Sequence, residues 1–164
     1  MPLGTPARRM PIPEDVRDFL GDLLGKPVSV SKRPVADLSE VEPEEKWLTG
    51  LFVNDKNALI GACIADLTLA ANAGAALAMI SEQVAKEAVT AGELGENLRD
   101  NFYEIVNIVS ALLNGPSVPH LRLTEVVDGI PDEVVELSKR AAGNKRYDIT
   151  IVGYEGGVLG LIGV

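Results

Sequence analysis

The sequence of 164 residues contains one cysteine, Cys63, and one histidine, His120. A single cysteine excludes an internal disulfide and a multi-cysteine metal site, and with them a disulfide-stapled secreted domain. A single histidine makes a His-rich metal site or a Ser-His-Asp relay hard to build. Basic residues are also scarce: 15 Lys and Arg stand against 24 Asp and Glu, a formal net charge of −9. Such a polyanion is a poor general binder of nucleic acid or anionic membranes, because phosphate contacts need clustered cations.

The remaining composition is that of an ordinary globular chain, with 46% hydrophobic and 24% charged residues. The length predicts one compact domain over residues 13–164, preceded by a flexible segment over residues 1–12. The most hydrophobic stretch, residues 59–80, contains Asp66 and is rich in Ala and Gly, so we interpret it as a buried strand and helix rather than a membrane span. The start of the chain lacks the apolar region of a signal peptide, which favours a cytoplasmic location.

Hydrophobic periodicity and turn chemistry predict helices that alternate with hairpins. Two apolar runs joined by Asn54-Asp55-Lys56-Asn57 predict a hairpin, and Asp66 is placed to cap the helix that follows. This order indicates an α+β domain with a mainly antiparallel sheet and long helices packed on it. We predict helices over 13–24, 66–80, 81–93, 98–113 and 131–142, and strands over 28–30, 47–53, 58–64, 120–127, 147–152 and 158–164.

Familiar catalytic and nucleotide-binding motifs are missing. The sequence contains no G-x-x-x-x-G-K-[ST], no G-x-G-x-x-G after a strand, no G-x-S-x-G and no H-E-x-x-H. Cys63, within a run of Ala, Ile and Gly, is interpreted as a small core residue rather than a nucleophile. His120, which has no partner in view, is interpreted as structural.

The helix predicted over residues 98–113 carries an unusual polar stripe. At about 100° per residue, Asp100, Glu104, Asn107 and Ala111 fall within roughly 60° of arc, opposite the apolar face. An ordinary solvated face is one explanation. Two details count against it, because Asn is a poor mid-helix residue and the like charges at i and i+4 repel each other.

The same residues resemble the signature of the CheC/CheX/FliY chemotaxis phosphatases, D/S-x-x-x-E-x-x-N, which Asp100, Glu104 and Asn107 fit. Members also carry a proline 22 intervening residues after the Asn; here Pro131 stands one residue further on, which requires a one-residue insertion. The order of predicted elements from Pro13 to Val164 matches the family as well. Only one copy of the motif is present, so the single-site CheX proteins are the more similar branch.

The resemblance implies a CheC-like fold and hydrolysis of the aspartyl phosphate of a CheY-type response regulator. In the family the Glu forms a salt bridge with a lysine of the regulator and the Asn orients the attacking water, which assigns these roles to Glu104 and Asn107. Asp100 and Ala111 would support the helix or contact the partner. The Mg²⁺ ion would belong to the regulator, so no metal or cofactor of the chain's own is expected.

Two other functions remain open. The shifted proline and the single motif are compatible with a non-catalytic adaptor that binds a signalling protein through the same fold. A terminal hairpin is compatible with a self-association domain, because its edge can pair with another copy. The CheX-like proteins that the chain resembles form dimers, so a homodimer would not separate the three functions. A stable monomer by light scattering would count against the last.

Overall fold

The computed structural model describes residues 8–164. Over these residues, five α-helices and six β-strands follow the order that the sequence predicts. The helices are α1 (Pro13–Leu24), α2 (Leu67–Leu77), α3 (Glu82–Ala91), α4 (Glu96–Val109) and α5 (Asp132–Arg140). The strands are β1 (Val28–Arg33), β2 (Trp47–Val53), β3 (Leu59–Asp66), β4 (Arg122–Asp128), β5 (Gly143–Ile151) and β6 (Gly157–Gly163).

The six strands form one sheet in the order β1-β5-β6-β3-β2-β4, and every neighbouring pair is antiparallel. Two local hairpins, β2–β3 and β5–β6, contribute four of the strands. The β6–β3 pairing joins these hairpins, and β1 and β4 form the two edges. The predicted α+β fold with a mainly antiparallel sheet is therefore confirmed.

The two faces of the sheet carry different helices, because strand side chains alternate between them. Leu48 and Phe52 of β2 belong to the large core cluster that also contains the apolar residues of α1, α2 and α4. Leu51, between them, belongs to a smaller cluster with Val134 and Leu137 of α5. The motif helix α4 thus lies on one face, and α5 lies on the other.

Local signals from the sequence explain where the helices begin and end. The Asp66 carboxylate accepts a hydrogen bond from the Leu69 backbone N–H at 2.9 Å and caps α2 as predicted. Gly25, with a φ of 66°, ends α1 in the left-handed conformation that glycine adopts without strain. No helix in the described part of the chain is long and apolar enough to cross a membrane.

The amino-terminal segment is attached to the domain from Arg8 onward. Residues 1–7 of the predicted flexible segment lie outside the described residues. Arg8 and Pro11 are buried, and the Tyr147 hydroxyl donates a 2.6 Å hydrogen bond to the Pro11 carbonyl. Packing against the domain therefore begins before the boundary at Pro13 that the sequence predicts.

Candidate functional site

The polar stripe lies on α4, where Asp100, Glu104 and Asn107 are all exposed. These residues span about 10 Å along the helix at a rise of about 1.5 Å per residue. On the opposite side of α4, Leu98, Phe102, Ile105, Val106 and Val109 are buried in the core. The three side chains that the sequence places together are therefore together on a solvent-facing surface.

Ala111 lies beyond the end of the α-helix. The predicted helix continues to Leu113, but α4 ends at Val109 and a 3₁₀ turn, Ser110–Leu112, follows. The Ser110 hydroxyl donates a 2.6 Å hydrogen bond to the Asn107 carbonyl, and such local bonds compete with the regular helical pattern. Ala111 remains exposed and next to the stripe, but tighter winding shifts its direction from the one that an α-helix would give.

Two hydrogen-bonded residues hold α4 from either flank of the stripe. On one side, Arg99 forms a 2.8 Å ion pair with Asp128 and donates to the Val126 carbonyl at 3.0 Å, both on β4. On the other side, the Asn101 amide donates to the Gly74 carbonyl of α2 at 3.0 Å. Arg99 and Asn101 each lie about 100° around the helix from Asp100, so these contacts orient the stripe away from the domain.

Two glycines allow α4 to pack closely on its neighbours. A Cβ atom at Gly50 of β2 would lie 2.5 Å from the Val106 side chain, directly beneath the motif helix. A Cβ atom at Gly74 of α2 would lie 2.9 Å from the Leu98 carbonyl oxygen. The distances of α4 from the sheet and from α2 therefore depend on the absence of a side chain at both glycines.

We expect Gly74→Ala to lower the free energy of unfolding by about 1–3 kcal/mol, because the added methyl group forces the α2 and α4 backbones apart. Urea denaturation measures this change. Gly21→Ala on α1 is the matched control, since a Cβ atom at this helical glycine would meet only the Lys26 carbonyl oxygen at 3.5 Å, an ordinary van der Waals contact. A Gly74→Ala protein as stable as the control would show that α2 and α4 do not pack this closely.

The polar groups of the stripe have no partners within the chain as described. Over residues 8–164, the side chains of Asp100, Glu104 and Asn107 enter none of the hydrogen bonds or ion pairs that the structure contains. A carboxylate and a carboxamide are thus presented side by side on a rigid element. This arrangement can accept a cation from a partner and orient a water molecule.

Residues other than Asp100, Glu104 and Asn107 also shape the site. Tyr103 is 40% exposed and lies beside Asn107 on the helical wheel, so it extends the accessible surface of the stripe. Its position within the motif makes this detectable from periodicity. The contacts of Arg99 and Asn101 cannot be detected from periodicity, because their partners are 27 residues or more away in the chain.

Cys63 and His120 both lie outside the stripe. Cys63 is fully buried, and burial raises the pKa of its thiol to about 12, so it is a core residue as predicted. His120 is exposed just before β4. Within residues 8–164, the structure brings together no group of three or more His, Cys, Asp or Glu side chains that could hold a metal ion.

Comparison by sequence finds no relative: no family model matches the chain, and no curated protein matches it. Comparison by structure finds proteins of similar fold. The middle domain of FliM from Vibrio alginolyticus superposes with a TM-score of 0.60 at 10% identity, covering 92% of this chain and 86% of that chain. The FliM middle domain from H. pylori gives 0.59 at 9% identity, covering 92% and 84%. FliY from Thermotoga maritima gives 0.57 at 13% identity, covering 89% and 80%.

At these identities the likeness establishes the fold, which this chain shares with the FliM middle domain and FliY over most of its length. The CheC-like fold implied by the sequence resemblance is thereby confirmed. The roles that the sequence resemblance implies for Glu104 and Asn107 stay predictions, because likeness of fold does not test them.

Proposed function

We propose that this protein is a phosphatase that hydrolyses the aspartyl phosphate of a CheY-type response regulator. The proposal is based on the exposure of Glu104 and Asn107 and on the absence of partners for their side chains among the described residues. Both are exposed, one turn apart on the outward side of a helix held at both flanks, and neither side chain has a partner within residues 8–164.

Glu104 is the docking residue in this mechanism. Its carboxylate forms an ion pair with the lysine in the regulator's active site, which places α4 against the phosphorylated aspartate. Asp100, one turn earlier, adds negative charge to the same surface, and the chain's net charge of −9 favours encounter with a basic patch. Because neither carboxylate is engaged inside the described domain, docking breaks no internal ion pair there.

Asn107 positions the nucleophile. Its carboxamide oxygen accepts a hydrogen bond from a water molecule and holds it in line with the scissile bond. The water oxygen attacks phosphorus, the bond to the aspartate oxygen breaks, and the regulator's carboxylate leaves as inorganic phosphate forms. Phosphoryl transfer depends more on positioning and charge neutralisation than on covalent participation, so one oriented amide is a sufficient contribution. The Mg²⁺ ion in this reaction is a component of the regulator.

The test follows the decay of a phosphorylated CheY-type receiver domain from the same genome in the presence of Mg²⁺, with and without this protein. We expect the decay rate to rise with the concentration of this protein and to reach a plateau when all of the phosphorylated receiver is bound. Binding to the phosphorylated receiver without faster decay would contradict the phosphatase proposal and support the adaptor alternative. Failure to bind any receiver from that genome would also contradict the phosphatase proposal and would leave only the fold established.

We expect Glu104→Lys to raise KM for the phosphorylated receiver about tenfold or more, because it converts the proposed ion pair into a repulsion. The saturated rate should fall less, since Asn107 is intact. Glu87→Lys on α3 is the matched control: it makes the same change in net charge at another exposed position. An equal rise in KM for the two variants would attribute the effect to overall charge and remove Glu104 from the docking role.

A further inference from the structure

A groove of about 600 Å³ lies away from the stripe of α4. It is bordered by the 3₁₀ turn Leu38–Glu40 and by residues of five strands, among them Trp47 of β2, Arg146 of β5 and Val158 of β6. Its volume falls in the usual range for small-molecule sites, about 300–1,000 Å³. Neither Glu104 nor Asn107 contributes to its lining.

The wall of this groove contains a buried, incompletely paired cation. Arg146 is only 4% exposed, and its Nη2 atom has no hydrogen-bond partner among the described residues. Nη1 donates to the Asn144 side-chain oxygen at 2.6 Å. Within residues 8–164, no Asp or Glu forms an ion pair with this guanidinium. Burial without a neighbouring anion lowers the pKa of Arg146 to about 10.

The sheet provides space for this guanidinium. A Cβ atom at Gly160 on the neighbouring strand β6 would lie 2.9 Å from the Arg146 Nη1 atom. Burying an unpaired charge costs free energy. Because no carboxylate of the described residues neutralises the Arg146 guanidinium, an anion from outside the chain can bind there. Two further cations line the same groove: Lys46, and Arg33, which forms a 2.8 Å ion pair with Asp148.

The other groove residues limit the charge of that anion. Asp37, Glu40, Glu45 and Asp66 also line the groove, and they oppose a multiply charged ligand such as phosphate. Three of them are already engaged: Asp37 with Ser39, Glu45 with the Trp47 indole N–H, and Asp66 with the Leu69 and Val158 backbone. The apolar lining includes Trp47, Leu38 and Val158. A single negative charge on an apolar body matches this combination.

We propose that the groove binds a small-molecule monocarboxylate with an apolar body, with the carboxylate against Arg146 and the apolar part against Trp47. A guanidinium matches the planar, two-oxygen geometry of a carboxylate. Trp47 is the only tryptophan of the chain, so its fluorescence reports occupancy directly.

The test titrates 4-phenylbutyrate into the full chain and follows Trp47 fluorescence, with 4-phenylbutyramide as the uncharged control. We expect a saturable change with the acid and at least tenfold weaker binding of the amide. Equal responses to acid and amide would overturn the proposal, because the charge would then contribute nothing. Displacement of the acid by lower concentrations of inorganic phosphate would overturn the assignment to a monocarboxylate.

Arg146→Met tests the proposed cation. We expect the variant to lose the response to 4-phenylbutyrate while its Tm stays equal to or above that of the wild type, since an apolar side chain replaces a buried charge with an unpartnered nitrogen. A purely structural role for Arg146 predicts a lower Tm instead. Should Arg146→Met fail to fold, Arg146→Lys serves, with weaker but detectable binding expected. Undiminished binding by either variant would overturn the proposal. As a control from the separate α4 site, Asn107→Ala is expected to bind the acid as the wild type does.

Discussion

Asn107→Ala is expected to abolish the acceleration of receiver dephosphorylation while leaving the complex intact. The substitution removes the only carboxamide of the exposed stripe and leaves Glu104 and Asp100 in place. Loss of one positioned group near a reacting centre costs on the order of 100-fold or more in rate. We therefore expect kcat to fall by about 100-fold, with KM for the phosphorylated receiver within about twofold of the wild type. Single-turnover decay of the phosphorylated receiver measures both quantities.

Two controls separate chemistry from folding in this experiment. Asn107 is exposed, and Ala is the better helix former, so the variant should unfold at the wild-type urea concentration or slightly above it. Asn97→Ala changes another exposed asparagine of α4, about 15 Å further toward the helix start, and should retain full activity. If Asn107→Ala accelerates decay as fast as wild type, Asn107 does not orient the water and the mechanism is wrong.

The motif helix shows how much of the candidate site the sequence can predict. Periodicity alone assigns Asp100, Glu104 and Asn107 to one side of α4, because the apolar positions that define the opposite side are all within the same 14 residues. Periodicity also predicts that Ala111 continues the stripe. There the local hydrogen bond between Ser110 and the Asn107 carbonyl replaces the α-helix by a 3₁₀ turn.

In the fold, too, the features set by neighbouring residues are predictable from the sequence, and those set by distant residues are not. The β2–β3 hairpin and the Asp66 cap are predictable because each depends on a few consecutive residues. The β6–β3 pairing that joins the two hairpins depends on contacts between residues about 100 positions apart, for which the sequence contains no local signal. The start of β5 is missed for another reason. Asn144, Lys145 and Arg146 are polar and lie outside the strand that the apolar pattern predicts, although β1 and β6 pair with β5 on either side.

Arg8 is the clearest residue that local reasoning cannot find. It lies within a stretch with no periodic pattern, yet it is 4% exposed and donates hydrogen bonds to three backbone carbonyls more than 100 residues away. Nη1 reaches Leu113 at 2.5 Å, Nη2 reaches Pro119 at 2.7 Å and Nε reaches Val164 at 3.2 Å. Only the assembled domain brings these acceptors together. The Leu113 carbonyl follows the end of the 3₁₀ turn after α4, where a cation also complements the helix dipole.

Arg8→Ala is therefore expected to produce the largest loss of stability among the substitutions considered, about 3 kcal/mol or more. Each hydrogen bond from a charged donor contributes about 1.5–3 kcal/mol, and the substitution leaves buried or partly buried carbonyls without their donor. Burial removes water from the Arg8 guanidinium and lowers its pKa. This desolvation cost offsets part of the stabilisation that the three hydrogen bonds provide in the native state. Urea denaturation measures the change. Arg8→Lys should recover only part of it, because one ammonium group cannot satisfy three divergent acceptors.

Arg9→Ala is the matched control, since it removes the same charge and side chain from an exposed neighbour and should change stability by less than about 0.5 kcal/mol. Hydrogen exchange localises the effect: without Arg8, amides of residues 110–113 should exchange faster relative to those in the centre of β3. That outcome would connect the amino-terminal segment to the end of the motif helix and hence to the setting of Asn107. Equal stability of the Arg8→Ala and Arg9→Ala proteins would show that residues 8–12 do not hold this end of α4 in solution.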